Sequence, residues 1–160
     1  MSAILQSETN LRNLLSAINT ITGDSDDNLT SAIQRLINRP SFQQAIDSYL
    51  NRTLTAITIN SSNIKTYAFH AQTSLLKVEI TTVTQIETQA FRACDKLATM
   101  ILHGDSVSTL GDVQALRYTP IESGTGKIYV PDALVEEYKA ATNWSTFADV
   151  IEPLSEYAGG

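Results

Sequence analysis

Two histidines, one cysteine and a Gly-Thr-Gly-Lys stretch are the residues of this 160-residue chain whose types could do chemistry. Histidine offers an acid–base or metal-ligating nitrogen near neutral pH, and a cysteine thiolate is a nucleophile. Spacing argues against each role. Neither His70 nor His103 has a second histidine or a cysteine at a ligand spacing, so a metal site would need distant groups to meet. His70 follows an Ala-Phe pair where a similar later segment carries Arg92, which points it outward from a turn. His103 closes an apolar run beside Gly104-Asp105, a solvated loop position. Cys94 stands alone, forms no intramolecular disulfide, and reads as a small buried apolar side chain.

The remaining candidates fail on pattern. Gly124-Thr125-Gly126-Lys127 lacks the spacing of a phosphate-binding loop, and Ile128 stands where Ser or Thr must meet magnesium. It reads as a turn feeding a strand. Asp24, Asp26, Asp27 and Asn28 form an acidic turn without the terminal Glu of a calcium loop, hence a solvated inter-helix turn. Asn28, Asn51, Asn60 and Asn143 each begin an N-x-[ST] triplet, a coincidence in so Ser/Thr-rich a chain. The expectation is a protein that is not an enzyme, with no catalytic residue, no cofactor and no metal.

Composition narrows the partners. Net charge is −6, with 11 basic against 17 acidic residues, so nucleic-acid phosphate is not favoured. The N-terminus, MSAILQSETN, has neither a basic region nor a sustained apolar run and does not read as a signal peptide. No stretch is apolar enough for membrane insertion. Only 18% of residues are charged, while Thr, Ser, Asn and Gln abound, a surface suited to an exposed, particle-bound or extracellular protein.

The elements that must position any site follow from a self-similarity. Residues 63–75, NIKTYAFHAQTSL, return as residues 85–97, QIETQAFRACDKL: Ile64/Ile86, Thr66/Thr88, Ala68/Ala90, Phe69/Phe91, Ala71/Ala93 and Leu75/Leu97 are identical. A fixed period of 20 to 30 residues predicts a solenoid, in which each unit buries its apolar face on the next. Each unit opens on a strand: Leu54, Ile57 and Ile59, then Leu75, Val78 and Ile80, then Leu97, Met100 and Leu102. The first unit is one residue short, in loop 60–63. Val107, Leu110 and Leu116 make a degenerate third unit that has lost its Ala-Phe pair. Ile128, Tyr129 and Val130 form a final strand, Pro131 a helix start, Leu134, Val135 and Tyr138 an apolar face. Trp144 and Phe147 close the core. The fold class is therefore α/β: short N-terminal helices (1–50) followed by a small repeat array with a C-terminal cap (51–160).

The N-terminal part reads as helical. Ile4, Leu11, Leu14, Ile18 and Ile21 fall on the a and d positions of a heptad broken by Ser7, an oligomerisation seam whose isoleucines favour more than two strands. Turn formers from Gly23 to Asn28 separate it from a stripe of Leu29, Ala32, Ile33, Leu36 and Ile37. A third short helix follows Pro40. The alternative is that these helices cap the repeat core.

The pattern L-x-x-I-x-I, then I-x-x-x-A-F-x-x-C-x-x-L, resembles BspA-like bacterial leucine-rich repeats across residues 54–154. Gln72 replaces the usual cysteine in the first unit and Cys94 keeps it in the second. The closing segment, from Lys127 through Asn143-Trp144 to Ile151, is similar to the end of such arrays. LRNLLSAINTITGDSDDNLTSAIQRLI resembles a stretch of gut-phage virion structural proteins.

These resemblances imply a non-enzymatic bacteriophage structural protein: a trimeric head fibre or capsid decoration protein displaying a leucine-rich-repeat head for host-surface attachment. Its location would be the capsid exterior or tail. Implied partners are other virion proteins through the N-terminal helices, a homotrimer, and a host-surface glycan or protein. The alternatives are a bacterial cell-surface adhesin of BspA-like type and a phage tail fibre or tip protein. Strand alternation places Thr55, Thr58, Lys77, Glu79, Thr99 and Ile101 on the displayed sheet face, with Tyr67 and Tyr118 as candidate exposed anchors.

Overall fold

A computed structural model describes Gln44, residues 47–82 and residues 85–159. The heptad residues Ile4, Leu11, Leu14, Ile18 and Ile21, the acidic turn, and the second and third helical stripes lie outside the described residues, apart from Tyr49 and Leu50 at the end of the third. Tyr49–Gly160 forms one compact unit, and this unit is α/β with parallel sheets and few helices. Its strands are β1 (Ala56–Ile59), β2 (Asn63–Ile64), β3 (Lys77–Ile80), β4 (Gln85–Ile86), β5 (Thr99–Leu102), β6 (Thr109–Leu110), β7 (Lys127–Val130) and β8 (Ile151–Pro153). Up to β7 the chain alternates between two sheets. The larger has the order β1-β3-β5-β7-β8, the smaller β2-β4-β6.

The sequence explains this arrangement locally. Ile57 and Ile59, Val78 and Ile80, Met100 and Leu102, and Ile128 and Val130 alternate along four-residue strands. A period of two sends them to one face, and branched side chains fit a pleated half-buried surface. Register then stacks like on like: Ile57 pairs with Val78, Val78 with Met100, and Met100 with Ile128. In the smaller sheet Ile64 pairs with Ile86 and Ile86 with Leu110, all three buried. Each fully buried side chain of this kind stabilises the fold by roughly 1.5–3 kcal/mol.

The third wall of the core is a column of turns. Phe69 N–H donates to the Ala90 carbonyl and Phe91 N–H to Ala115, each one unit on, at 2.8 and 2.9 Å. Ala71 N–H donates likewise to Arg92 and Ala93 N–H to Arg117, both at 2.8 Å. Equivalent positions share a left-handed backbone: Tyr67 and Gln89 (φ 63° and 58°), and Ala71, Ala93 and Tyr118 (φ 57°, 59° and 62°). The Phe69 and Phe91 rings stack at 5.3 Å, and Tyr49 meets Phe69 edge-on at 6.1 Å. The third unit has not lost its pair outright: Ala115 keeps the alanine and Leu116 takes the place of phenylalanine in the 3-10 turn Val113–Leu116. An insertion beyond β5 hides this from a fixed-offset comparison.

Beyond β7 the chain forms a 3-10 turn (Asp132–Leu134), the helix Val135–Ala140 and a long 3-10 segment (Trp144–Val150). Tyr138 and Trp144 are fully buried, with rings 5.4 Å apart edge to face. Trp144 Nε1–H donates to the Ser108 carbonyl at 2.7 Å, and Ser108 N–H donates to the Tyr138 hydroxyl at 3.1 Å. Asn143, itself left-handed, donates from Nδ2 to the Leu110 carbonyl at 2.7 Å. β7 is not the last strand. Ile151, Glu152 and Pro153 add β8 beside it, and Pro153 is tolerated because an edge strand needs no outward N–H there.

Candidate functional site

The outward face of the larger sheet carries two rows of side chains. Ala56, Lys77, Thr99 and Lys127 align across β1, β3, β5 and β7. Thr58, Glu79, Ile101, Tyr129 and Glu152 form the second row. Register thus brings Lys77, Thr99, Thr58 and Glu79 onto one face, while Thr55 lies one residue before β1 and Ala56 takes its row. Thr55 and Thr58 are exposed, Lys77, Glu79 and Thr99 half-buried.

Ile101 departs from the displayed face expected of it, being only 2% exposed. Glu79 and Tyr129 flank it in register, and the C-terminal segment reaches the same face. Tyr157 accepts a hydrogen bond from Lys77 Nζ at 3.4 Å, and its ring lies 5.0 Å from that of Tyr129. Lys77 is on β3 and Tyr129 on β7, so Tyr157 crosses β5 between them. Periodicity could not reveal this, because Ser155-Glu156-Tyr157 carries no apolar pattern.

Beside Tyr157 a groove of about 390 Å³ opens along the strand starts, lined by Thr55, Ala56, Leu76, Lys77, Ala98 and Thr99. Leu76 is 49% exposed at its rim. The groove combines an apolar floor, two threonines, a tyrosine and one ammonium, a set that binds by contact and hydrogen bonding.

Charged pairs brace this face. Lys127 Nζ and Glu152 Oε1 meet at 2.6 Å. That bond holds the Glu152 carboxyl below its ordinary range and raises the Lys127 ammonium above its own. His103 Nε2 contacts Glu79 Oε1 at 2.8 Å, a pairing that sequence reading of His103 as a solvated residue missed. The signal was present: Glu79 and Ile101 share a register position, and His103 follows two residues later. On the opposite side, Glu87 accepts from Thr66 N–H and hydroxyl at 2.9 Å and from Lys65 and Asn63 at 3.0 Å. These donors, the Thr66 backbone foremost, lower its pKa to about 2.

The remaining chemistry-bearing residues sit apart from the face. Cys94 is fully buried, and desolvation pushes its thiol up to about 11 despite a backbone hydrogen bond from Gln72, so the thiolate is strongly disfavoured. Gln72, the residue at its place in the first unit, donates to the Tyr49 carbonyl at 3.1 Å. His70, Tyr67 and Tyr118 are exposed on the turn column. Gly126 owes its identity to packing: a Cβ there would lie 2.8 Å from the Ala98 carbonyl oxygen and 2.9 Å from the Ile121 nitrogen. Among the described residues no cluster of three metal-ligating side chains occurs, and no helix is long and apolar enough to cross a membrane.

No family model matches the chain, and neither the curated proteins nor the solved structures give a match.

Proposed function

We propose that Tyr49–Gly160 is a leucine-rich-repeat solenoid of BspA-like type, displayed as the binding head of a non-enzymatic virion structural protein. The reading places it on a head fibre or capsid decoration, anchored and trimerised through Ile4, Leu11, Leu14, Ile18 and Ile21. One observation carries the repeat reading. Parallel pairing joins Ile57 to Val78 and Val78 to Met100, offsets of 21 and 22 residues, while the same chain pairs Ile64 with Ile86 in the second sheet. Equivalent residues therefore stack, which is how a repeat array buries its apolar face.

The non-enzymatic reading is supported by Cys94, whose buried thiol resists ionisation. The groove beside Tyr157, with Lys77, Thr55 and Thr99, is the proposed attachment surface of the sheet face. The virion setting rests on the N-terminal resemblance.

The test is immunogold labelling of intact purified particles with antibody against residues 49–160, paired with light scattering of the full chain. Labelling of the particle exterior together with a trimeric mass supports the reading. Particles free of the protein overturn the virion setting, and a monomeric full chain overturns the trimeric anchor.

A further inference from the structure

The turn column places a basic side chain at the same position of three successive units, His70, Arg92 and Arg117. The backbone bonds Ala71 N–H to Arg92 and Ala93 N–H to Arg117 set these on adjacent rungs, with a spacing of about 4.8 Å between hydrogen-bonded chains. In each unit the residue three positions earlier holds the basic group. The Tyr67 and His70 rings lie 5.5 Å apart. Gln89 Oε1 accepts from Arg92 Nη1 at 2.8 Å, and Gln114 Oε1 from Arg117 Nη1 at 3.0 Å.

Two guanidiniums on adjacent rungs repel, and a chain with 17 acidic residues has ample means to neutralise them. It does not. Neither arginine forms an ion pair among the described residues. The nearby Glu122 carboxylate is engaged by Tyr118 N–H at 2.7 Å, and Asp95, one residue past Cys94, is exposed and unpaired with either arginine. The Tyr118 ring faces both guanidiniums, at 5.4 Å from Arg92 and 4.9 Å from Arg117. Tyr118 is 52% exposed in a left-handed backbone that a bulky residue adopts at a cost, so burial does not account for a tyrosine there. A glutamine bond engages one donor of each half-buried guanidinium, and no other side-chain hydrogen bond of either fork occurs among the described residues.

We propose that this column is a binding site for carboxylate-bearing saccharide, a uronate-containing surface polysaccharide. The planar forks of Arg92 and Arg117 match carboxylate oxygens, Tyr118 holds the two guanidiniums together, and the half-exposed Tyr67 ring suits the C–H face of a pyranose. A nucleic-acid or sulfated ligand would engage the charge without the carboxylate match, and the comparison polymers in the test separate these from a carboxylate saccharide. The site is separate from the sheet-face groove and does not depend on the attachment surface proposed there.

The test is affinity electrophoresis of the full chain in gels containing polygalacturonate, with neutral dextran, dextran sulfate and single-stranded DNA as comparisons. Polygalacturonate retards the wild type more than any comparison. Arg92→Gln with Arg117→Gln weakens retention roughly tenfold or more. Arg92→Lys with Arg117→Lys keeps the charge, loses the fork, and also weakens it. Tyr118→Ala weakens it, whereas Lys139→Ala on the helix Val135–Ala140 leaves it unchanged. Circular dichroism confirms that each variant is folded. Absence of retention by polygalacturonate, retention that survives the double glutamine variant, or equal retention by dextran sulfate or DNA overturns the proposal. A loss caused by Lys77→Ala alone moves the binding to the sheet face and also overturns it.

Discussion

The thiol of Cys94 donates to the carbonyl of Phe69 at 3.0 Å, so a side chain of one unit ties off the backbone of the unit before it. The bond is part-buried, and Gln72 makes the corresponding bond to Tyr49. Thr119, at the same place in the third unit, bonds instead to Leu116 of its own turn at 2.7 Å. Three chemically different residues thus serve one column, each by donating to a turn carbonyl. Cys94→Ala removes one of two donors to that carbonyl, leaving the Gln72 N–H at 3.3 Å, and opens a small void. The expected loss is about 1 kcal/mol, read as a lower urea midpoint. A thiol reagent should label the native wild type only on unfolding, since burial keeps the group neutral.

Ser108 offers its N–H to Tyr138 and its carbonyl to Trp144. Trp144→Phe leaves that carbonyl without its donor and costs about 2 kcal/mol, and Tyr138→Phe costs about as much. Because both act on Ser108, the double variant should lose less than the sum of the singles. Thermal denaturation of the four proteins checks the shared term.

Glu87 gives the fold a pH dependence of definite sign. Its carboxyl is ionised at an ordinary value of 4.5 in the unfolded chain and at about 2 in the fold. Above the unfolded value the charge is present in both states and the stabilisation is complete. As pH falls from there through about 2 the fold must take up a proton and the stabilisation disappears. Glu87→Gln should therefore be less stable than wild type at neutral pH, and the gap should close across this acid window in parallel urea titrations.

Two substitutions involving glycine should move stability in opposite directions. Gly126→Ala forces a methyl against the Ala98 carbonyl and the Ile121 nitrogen. Backbone must shift, at a cost of about 2 kcal/mol or more. Ala93→Gly relieves a left-handed alanine, φ 59°, and should gain roughly 0.5 kcal/mol after the added unfolded-state entropy. Melting temperatures of the pair read both signs.

Much of this architecture was legible in the spacing of apolar residues, because burial against a neighbour demands a fixed period. The strands around Ile57, Val78 and Met100 and the paired positions Ile64 and Ile86 follow from that demand. So do the burial of Cys94 and the outward placement of Lys77, Glu79 and Thr58. The Ala115-Leu116 turn was missed because an insertion shifted it from the period. β8 was missed because Ile151-Glu152-Pro153 is too short to show alternation. The burial of Ile101 was not legible, because it sits between Glu79 and Tyr129 on a face that Tyr157, far along the chain and without a pattern of its own, also reaches. The Arg92–Tyr118–Arg117 cluster was only half visible: the alignment of His70 with Arg92 could be read, but the joining of Tyr118 to both arginines needed the turn ladder.

The change of register between the sheets has a consequence for how such a chain can vary. β1 and β3 pair at an offset of 21 residues, β2 and β4 at 22, and β5 and β7 at 28, yet Val78, Met100 and Ile128 remain aligned. Length differences are absorbed between strands rather than within them. Lengthening such a loop twofold costs only about 0.6 kcal/mol in closure entropy, far less than slipping one buried row. The inter-sheet loops are therefore evolutionary expansion joints, where new surface can be grafted while the stacked interior keeps its alignment.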